Sequence, residues 1–547
     1  MFNQNNVNKL KIPRSYKNIK PVVTTTFNVG EMVPFFNMEI IPNDRITLDI
    51  KSVTNMQTPN YATMDTLYQS VAFFYCPNRL VWENWDKFYG DGKTNDYETF
   101  VQKFVPQLTC PSGGWAVGSI ADYLGVVTGR NCHKVSALPF RMIAMIYNEY
   151  YRDEQRQAKV LVSKGDSDQT GSNGYDYVND LQNGGMTPRT CRLYDYFTGT
   201  KLQIQAGDPV TIPIGTSAPV YTGTDNATTL VGNGIGVKIL TENGGAVDQY
   251  KEISTGEGNL TVSSDTASGA SGQIVFQNLK ADLSRADGIT VQEFKKLLMA
   301  QQVLMNIETA GSRYIEQLYR RWGVRANELE LEIPKFLGSR TTILNMNMVV
   351  GTGAKPTSGT SNYDFGALTG MSNTFDGGHI FTYHFKQHGY LFGIVTIRPQ
   401  NTYEDGIPKQ LVKHSIDDYY KPEYAYLGAE EVKNYEIYSD ASDNKDDLMF
   451  GIRNYGDDLR YIPNRITGQM RATSQYSQNF KTYSIHYNSR PLNNSNFIRQ
   501  DQTAIDKTLV NPESVTHMHQ FTFQCQLDIK MTRNLPANGN IDELIRL

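Results

Sequence analysis

Two aspartates and a threonine, Asp166, Asp168 and Thr170, form a D-x-D-x-T phrase of the kind used in phosphoryl transfer. In such a site one carboxylate attacks phosphorus and the other works as acid and base. The attacking carboxylate should end a buried parallel strand, but only the short run 160–162 precedes it and no helix–strand alternation surrounds it. The same loop resembles half of a calcium-binding loop, yet Tyr177 occupies the twelfth position, where a bidentate Glu is required. We therefore expect an acidic surface loop.

Two glycine-rich phrases and a histidine group are the other candidates for chemistry. The segment 351–357 resembles a phosphate loop, but Pro356 follows the lysine and removes a backbone donor. The segment 232–236 lacks the spacing of a dinucleotide site. His379, His384 and His388 lie close in sequence without a cysteine or carboxylate that completes a ligand set. We predict no metal, no cofactor and no catalytic residue.

The cysteines and the N-terminal sequence indicate the cellular compartment in which the chain folds. No cysteine pair has C-x-x-C spacing, so neither a disulfide framework nor a zinc site is predicted. Reduced, mostly buried thiols suit an intracellular place of assembly. The first thirteen residues lack the apolar segment of a signal peptide, so we expect folding in a cytoplasm. The five cysteines are Cys76, Cys110, Cys132, Cys191 and Cys525.

Charge excludes a bulk attraction to nucleic acid. The 52 basic and 56 acidic residues give a formal charge of -4, so any contact with a polyanion needs a local patch. The N-terminus offers one, which is either a solvated arm or a contact with phosphates or a neighbouring subunit. Its basic residues are Lys9, Lys11, Arg14, Lys17 and Lys20.

The elements around these residues are mainly strands. Only 39% of residues are hydrophobic and 20% charged, and the remaining polar, uncharged residues favour turn-rich β structure. Strands are predicted at 22–27, 46–53, 71–75, 391–398 and 521–531. Because strands at both ends of the chain must pair, a jelly roll or Greek key fits better than a row of independent domains. No apolar run reaches the roughly 20 residues that a membrane span needs.

Helices and one insertion interrupt these strands. Ser119 can cap a helix over 120–124, Pro139 can start the next, and the pair Thr290 and Glu293 forms a capping box. A further helix is predicted at 314–322. The segment 217–288 is rich in Gly, Ser, Thr and Asn and predicts a small β excursion that projects from the main body.

Several short phrases follow one another along the chain: TTFNVGEMVP at 25–34, FFYCPNRLVWENW at 73–85, LPFR at 138–141, YNEYYRD at 147–153, GIPKQ at 406–410 and RYIPNRITG at 460–468. In this order they resemble the major capsid protein of the Microviridae, small tailless phages with single-stranded DNA, and the gokushovirus branch above all. The resemblance runs from about residue 14 to the end, and its order makes coincidence implausible. It departs from the family pattern at Leu411, where a Trp is frequent, and at Ala429 and Glu430.

The resemblance implies a non-enzymatic, eight-stranded antiparallel jelly roll with long helical and loop insertions. It implies a homo-oligomeric T=1 icosahedral shell around circular single-stranded DNA, assembled in a bacterial cytoplasm. We expect a basic arm at 1–24, one jelly-roll domain at 25–547, and 217–288 as a threefold protrusion that contributes to host attachment. Expected partners are the DNA genome, a small basic internal phage protein, scaffolding or other structural proteins, and a host receptor.

The sequence allows more than one role for three residues and two other functions for the chain. Arg79, Trp82 and Trp85 are candidate anchors of a subunit interface or of the core, and Arg79 can instead form a buried structural pair. The five basic residues of the N-terminus are the candidates for contact with DNA. The alternatives to a capsid subunit are a cell-surface β-sandwich adhesin, against which the missing signal peptide argues, and a phosphatase around Asp166.

Overall fold

A computed structural model gives the structure of most of the chain. The chain divides into two compact units, Met1–Ile204 with Glu308–Leu547, and Gln205–Ile307. The described residues are 13–89, 103–208, 210, 220–222, 239–240, 253–256, 259–262, 273–274, 279–281, 291–310, 313–323, 332–350, 368–425, 428–440 and 445–535.

Ten strands build the two main sheets of the first unit. They form a six-stranded and a four-stranded antiparallel sheet. The strands are β1 (Ser15–Ile19), β2 (Val22–Phe27), β3 (Val33–Ile40), β4 (Arg45–Met56), β5 (Leu67–Pro77), β6 (Lys335–Ile343), β7 (Met346–Val350), β8 (Leu368–His384), β9 (Gly389–Pro399) and β10 (Phe521–Arg533).

Strands that are distant in sequence lie side by side. The larger sheet has the order β1-β10-β4-β8-β7, with β2 also paired to β10, and the smaller has the order β6-β5-β9-β3. Eight strands thus pair as β2-β10-β4-β8 and β3-β9-β5-β6, which is the order of an eight-stranded jelly roll. The predicted pairing across the whole chain is confirmed: Val22 of β2 lies opposite Gln526 of β10.

The core between the two sheets is aromatic. The ring of Phe35 on β3 lies 5.3 Å from that of Phe523 on β10 and 6.1 Å from that of Phe73 on β5. Strands β4 and β10 alternate buried and exposed residues along their length because only one face of their sheet is covered by this core. The strict alternation of the sequence follows from this.

The smaller sheet is covered on both faces. Phe74 and Phe392 point away from the first core and pack with helix α1 (Leu138–Ile146) in a second cluster. Because both faces are buried, β5 and β9 are apolar without alternation over 71–75 and 391–397. The Ser119 hydroxyl accepts a hydrogen bond from Asp122 N, which confirms the predicted cap.

Short elements connect the C-terminal loops to a third cluster of buried residues, which includes Phe197, Tyr403 and Phe450. The remaining strands of this unit are Gln107–Thr109, Val135–Ser136, Gln169–Thr170, Glu430–Lys433 and Met449–Arg453. Its other α-helices in the described ranges are Trp85–Phe88, Ile120–Tyr123, Tyr314–Trp322, Asp457–Arg460, Ser495–Ile498, Thr503–Asp506 and Glu513–Thr516.

The second unit holds most of the predicted insertion. Three antiparallel pairs join its short strands, and helix α2 (Val291–Ala310) begins in it. Thr290 lies outside the described residues, so its capping box stays a prediction, as does the boundary 217–288. No helix within the described ranges combines the length and apolarity that a membrane crossing requires. The strands are Val220–Thr222, Ile239–Leu240, Ile253–Gly256, Asn259–Val262, Gln273–Ile274 and Leu279–Ala281.

Candidate interaction surfaces

The Asp166 carboxylate connects the side chains of Trp82, Asn84 and Lys103, and we call this group the Asp166 junction. Its Oδ1 accepts hydrogen bonds from Trp82 Nε1 at 2.7 Å and from Asn84 Nδ2 at 2.8 Å. Its Oδ2 accepts one from Lys103 Nζ at 2.7 Å. The hydrogen bonds from Lys103 and Asn84 lower the pKa of Asp166 to about 2. Both oxygens are occupied and the carboxylate is strongly stabilised, so it is a poor nucleophile and a poor proton donor at neutral pH.

Asp168 does not work together with Asp166. Its Oδ1 accepts a hydrogen bond from Gln107 N at 2.9 Å, and its Oδ2 lies 3.0 Å from Lys134 Nζ. The backbone donor at Gln107 and the Lys134 ammonium lower the pKa of this exposed carboxyl. Residues 166–168 form the expected acidic surface loop, whereas Gln169–Thr170 is a short strand, and the phosphatase alternative lacks a free carboxylate at Asp166 and Asp168.

A buried guanidinium lies behind this junction. Arg141, in the LPFR phrase, is completely buried and donates to Val81 O at 3.4 Å and to Gly165 O at 3.0 Å. Burial lowers the pKa of Arg141, and the charge of Asp166 opposes this. Asp166 thus supplies the counter-charge for a cation inside the second cluster.

The two candidate tryptophans have different surroundings. Trp82 is buried in the second cluster, so the core alternative describes it. Trp85 is half-buried and stacks on Phe88, with ring centroids 5.6 Å apart. Tyr89 extends this aromatic group outward and is 59% exposed. Arg79 donates a hydrogen bond to Gln387 Oε1 at 2.9 Å and forms an ion pair with Glu332 at 3.3 Å. Arg79 and Glu332 are therefore a partly exposed structural ion pair.

The three neighbouring histidines have separate partners. His379 Nδ1 lies 2.8 Å from Asp49 Oδ1, His384 Nε2 lies 2.7 Å from Asn43 Oδ1, and His388 Nε2 lies 3.1 Å from the Tyr89 hydroxyl. They do not converge on one point. The glycine-rich phrases at 232–236 and 351–357 lie outside the described residues.

The basic N-terminal residues are placed in part. Arg14 Nε donates to Asn534 Oδ1 at 2.9 Å, and Lys20 Nζ lies 3.8 Å from Asp528. Lys17 is an exposed residue of β1, the strand that pairs with β10. Lys9 and Lys11 lie outside the described residues. From residue 15 onward the segment therefore belongs to the edge of the larger sheet.

A surface of exposed apolar side chains lies on the C-terminal loops, and we call it the C-terminal aromatic surface. Short turns build it: Pro422 starts one, and the Asp418 carboxylate accepts from the backbone N–H groups of His414 and Ser415 in another. Lys413 Nζ lies 3.5 Å from Asp458 and connects its two segments. The surface consists of Leu411, Val412, Ile416, Tyr419, Tyr420, Tyr424, Leu459, Tyr461 and Ile462.

Arg453 holds this surface on the third cluster. Its guanidinium donates to the carbonyls of Tyr196 and Asp195 at 2.8 and 2.7 Å and lies 5.0 Å from the centre of the Tyr461 ring. Asp457 lies 3.6 Å away, and both side chains are buried. An ordered arginine with such contacts fixes the Tyr461 side chain, which lowers the entropy that binding a partner there would cost.

A cavity of about 120 Å³ opens beside this surface. Lys409 and Lys413 line it together with carboxylates, among them Glu436, which accepts from the Tyr196 hydroxyl at 3.1 Å. Burial raises the pKa of Glu436. The cavity has no nucleophile with an adjacent base among its lining residues, so its walls favour binding over catalysis.

Sequence reasoning missed the C-terminal aromatic surface. Two of its residues, Tyr461 and Ile462, fall in the phrase RYIPNRITG at 460–468, which was read only for its resemblance. A usable signal was present: Tyr419, Tyr420 and Tyr424 stand in a turn-rich segment without strand or helix periodicity. Aromatic residues in such a segment point to a surface contact.

Comparisons with known proteins agree over nearly the whole chain. A family model described as "Capsid protein (F protein)" matches residues 5–540. The capsid protein VP1 of Spiroplasma virus 4 is 29% identical over 93% of this chain and 91% of its own length. That of Bdellovibrio phage phiMH2K is 30% identical over 89% and 87%, and that of Chlamydia phage 1 is 28% identical over 91% of each.

Proposed function

Because this chain belongs to the capsid protein (F protein) family, we propose that its copies assemble into a T=1 icosahedral shell around circular single-stranded DNA. The family is a structural one, so the chain is a capsid protein and not an enzyme. The observation that carries the proposal is the match over residues 5–540. We place the protein in the virion and its assembly in the host bacterial cytoplasm.

The fold supports self-assembly through its surfaces. A β-sandwich with its core filled keeps its shape while loops at its edges contact neighbouring copies. The C-terminal aromatic surface is our candidate for such a contact with a second copy of the chain. Ile462 is 77% exposed and Leu411 is 71% exposed, and apolar side chains grouped in this way are stabilised when a partner covers them.

The basic N-terminal residues are our candidates for the contact with DNA. Arg14 and Lys17 lie near the edge of the larger sheet, where they add positive charge to a chain that is acidic overall. Lys9 and Lys11 precede them in sequence. Since a near-neutral subunit neutralises few phosphates, we propose that a small basic internal protein supplies further positive charge and that scaffolding proteins assist assembly.

We propose that the insertion 217–288 forms a protrusion at the threefold axes and contributes to host attachment through a surface receptor. Its composition supports this, since Gly, Ser, Thr and Asn build exposed loops. Deletion of 217–288 should leave the stability of the sandwich nearly unchanged and reduce binding of particles to host cells. Unchanged attachment of the shortened particles would disprove the receptor role.

Sedimentation tests the assembly. The chain is produced with single-stranded DNA and its scaffolding proteins, and the fraction in shells is measured for the natural chain, Ile462→Asp and Val515→Asp. Val515 is a matched control because it is equally exposed, at 74%, and lies outside the C-terminal aromatic surface. We expect shells from the natural chain and from Val515→Asp but few from Ile462→Asp.

Two results would count against these proposals, and they can be told apart. A natural chain that stays monomeric at high concentration with all partners present would refute the shell. Normal shells from Ile462→Asp would leave the shell in place and refute the C-terminal aromatic surface as a subunit contact.

A further inference from the structure

Two carboxylates and an imidazole converge on one point beyond the end of β9. Glu404, Asp405 and His486 each offer one ligand atom, and these atoms all lie within 4.8 Å of one another. Asp405 Oδ1 and His486 Nδ1 share a hydrogen bond of 2.8 Å, which a bound ion would replace, and Glu404 Oε1 lies 3.6 Å from the same nitrogen. The three residues come from segments about 80 positions apart in sequence, so only the fold brings them together.

One of the facing oxygens is buried without a hydrogen bond. The Glu404 side chain is only 2% exposed, and its Oε2 accepts a hydrogen bond from Ala472 N at 3.0 Å. Its Oε1 has no hydrogen-bond partner. Leaving such an oxygen unpaired in the interior costs free energy, and more for a charged group than for a neutral one, so a site that satisfies it is favoured.

The backbone holds both carboxylates in a ligating arrangement. Asp405 repeats the pattern of Glu404, because its Oδ2 accepts from Tyr487 N at 2.8 Å and leaves Oδ1 on the side of His486. Each carboxylate is thus anchored through one oxygen and presents the other. Hydrogen bonds to the second oxygen of a ligand are the usual way in which proteins orient metal-binding carboxylates.

The local charge calls for a cation. Within the described part of the chain, no lysine or arginine forms an ion pair with either carboxylate, and His486 is their shared basic neighbour. The ammonium of the nearby Lys507 donates to Ser484 O at 2.7 Å, and its charge acts on Asp65 as well as on Glu404. With this lysine and the partly exposed imidazole counted against Glu404, Asp405 and Asp65, negative charge is still in excess, and a divalent ion would neutralise it.

We propose that Glu404, Asp405 and His486 bind a divalent transition-metal ion, Mn²⁺ or Zn²⁺. Calcium and magnesium prefer shells of oxygen ligands, whereas an imidazole together with carboxylates suits first-row transition metals. The His486 side chain is 31% exposed, so water completes the coordination from that side. The ion links the segment after β9 to the loop around residue 486. It thereby stabilises the position of Tyr403, which belongs to the third cluster.

Binding of Mn²⁺ to the full-length chain tests this. The protein is dialysed against a chelator, MnCl₂ is added, and the free ion is measured by electron paramagnetic resonance, with Zn²⁺ uptake measured by elemental analysis. The variants are Glu404→Gln, which keeps the shape of the side chain, and His486→Gln, at a position exposed enough to tolerate the change. His379→Gln is the matched control, because His379 pairs with Asp49 at the same distance of 2.8 Å outside this cluster.

We expect about one tightly bound ion per chain, affinity reduced by at least about 10-fold in Glu404→Gln and His486→Gln, and no change in His379→Gln. Mn²⁺ should also raise the melting temperature of the natural chain but not that of His486→Gln. Failure to bind a stoichiometric ion, or equal binding by His486→Gln, would refute the proposal. So would Ca²⁺ binding as tightly as Mn²⁺, because the imidazole would then contribute nothing.

Discussion

Replacing Asp166 separates a structural carboxylate from a catalytic one. The carboxylate joins Trp82, Asn84 and Lys103 and offsets the charge of the buried Arg141. Asp166→Asn removes the charge but keeps an acceptor oxygen for the Trp82 indole. Asp166→Ala removes both, so the difference between the two variants measures the hydrogen bond to Trp82.

The expected magnitudes follow from the contacts. A pKa lowered from 3.8 to about 2 corresponds to roughly 2.5 kcal/mol of stabilisation, at about 1.4 kcal/mol for each pH unit. Because the side chain is 34% exposed, water screens the charge, and we expect Asp166→Asn to lose about 1 kcal/mol. Asp166→Ala also leaves the buried Trp82 N–H without its acceptor, which adds about 1–3 kcal/mol.

The pH dependence has a definite sign. The pKa of Asp166 is lower in the folded chain than in the unfolded one, so its stabilisation is fully present above about pH 3.8. It is lost as the pH falls through about 2. The difference in stability between the natural chain and Asp166→Asn should therefore be constant near neutrality and should shrink in acid.

Urea unfolding of the unassembled chain, followed by tryptophan fluorescence, measures these differences. Asp168→Ala is the matched control, because Asp168 and its partner Lys134 are each 47% exposed and water screens their interaction, so the loss should be much smaller than for Asp166→Ala. Equal losses for Asp166→Ala and Asp168→Ala would refute the structural role of the junction. A difference between the natural chain and Asp166→Asn that grows in acid would refute the assigned direction of the pKa.

Three further measurements address the core, the cysteines and a close packing contact. Phe523→Ala should cost about 3–5 kcal/mol in unfolding experiments, because its buried ring joins the two sheets; a loss below about 1 kcal/mol would contradict that packing. Alkylation of the native chain, followed by peptide mass spectrometry, should label Cys110 long before Cys525, whose pKa burial raises to about 12; equal rates would contradict this. Gly406→Ala should lower the melting temperature, because a Cβ there would lie 1.9 Å from Glu436 O; an unchanged value would mean that the loop adapts freely.

Periodicity predicted the sandwich because it records burial directly. The strands predicted at 46–53, 71–75 and 521–531 carry the pattern of the burial that the structure shows, with one covered face for β4 and β10 and two for β5. Ser119 was recognised as a cap because capping depends on residues three positions apart. These features are local, so the residues that cause them are neighbours in the sequence.

The junction at Asp166 and the cluster at His486 could not be found in this way. Asp166 lies 84 positions from Trp82, and His486 lies 81 from Asp405, so neither spacing has a local signature. The same limit applies to Trp82, for which sequence left core and interface open until its burial decided between them.

The sequence by itself determined the class of fold, the family and the lack of catalytic motifs, because these depend on composition, short-range pattern and the order of phrases. The tertiary structure decided which side chains meet. It made Asp166 a counter-charge, placed Arg453 under the C-terminal aromatic surface and brought Glu404, Asp405 and His486 to one point. The physical reason is that a jelly roll pairs strands and loops across hundreds of residues, so its contacts follow the topology of the sheets and not the spacing along the chain.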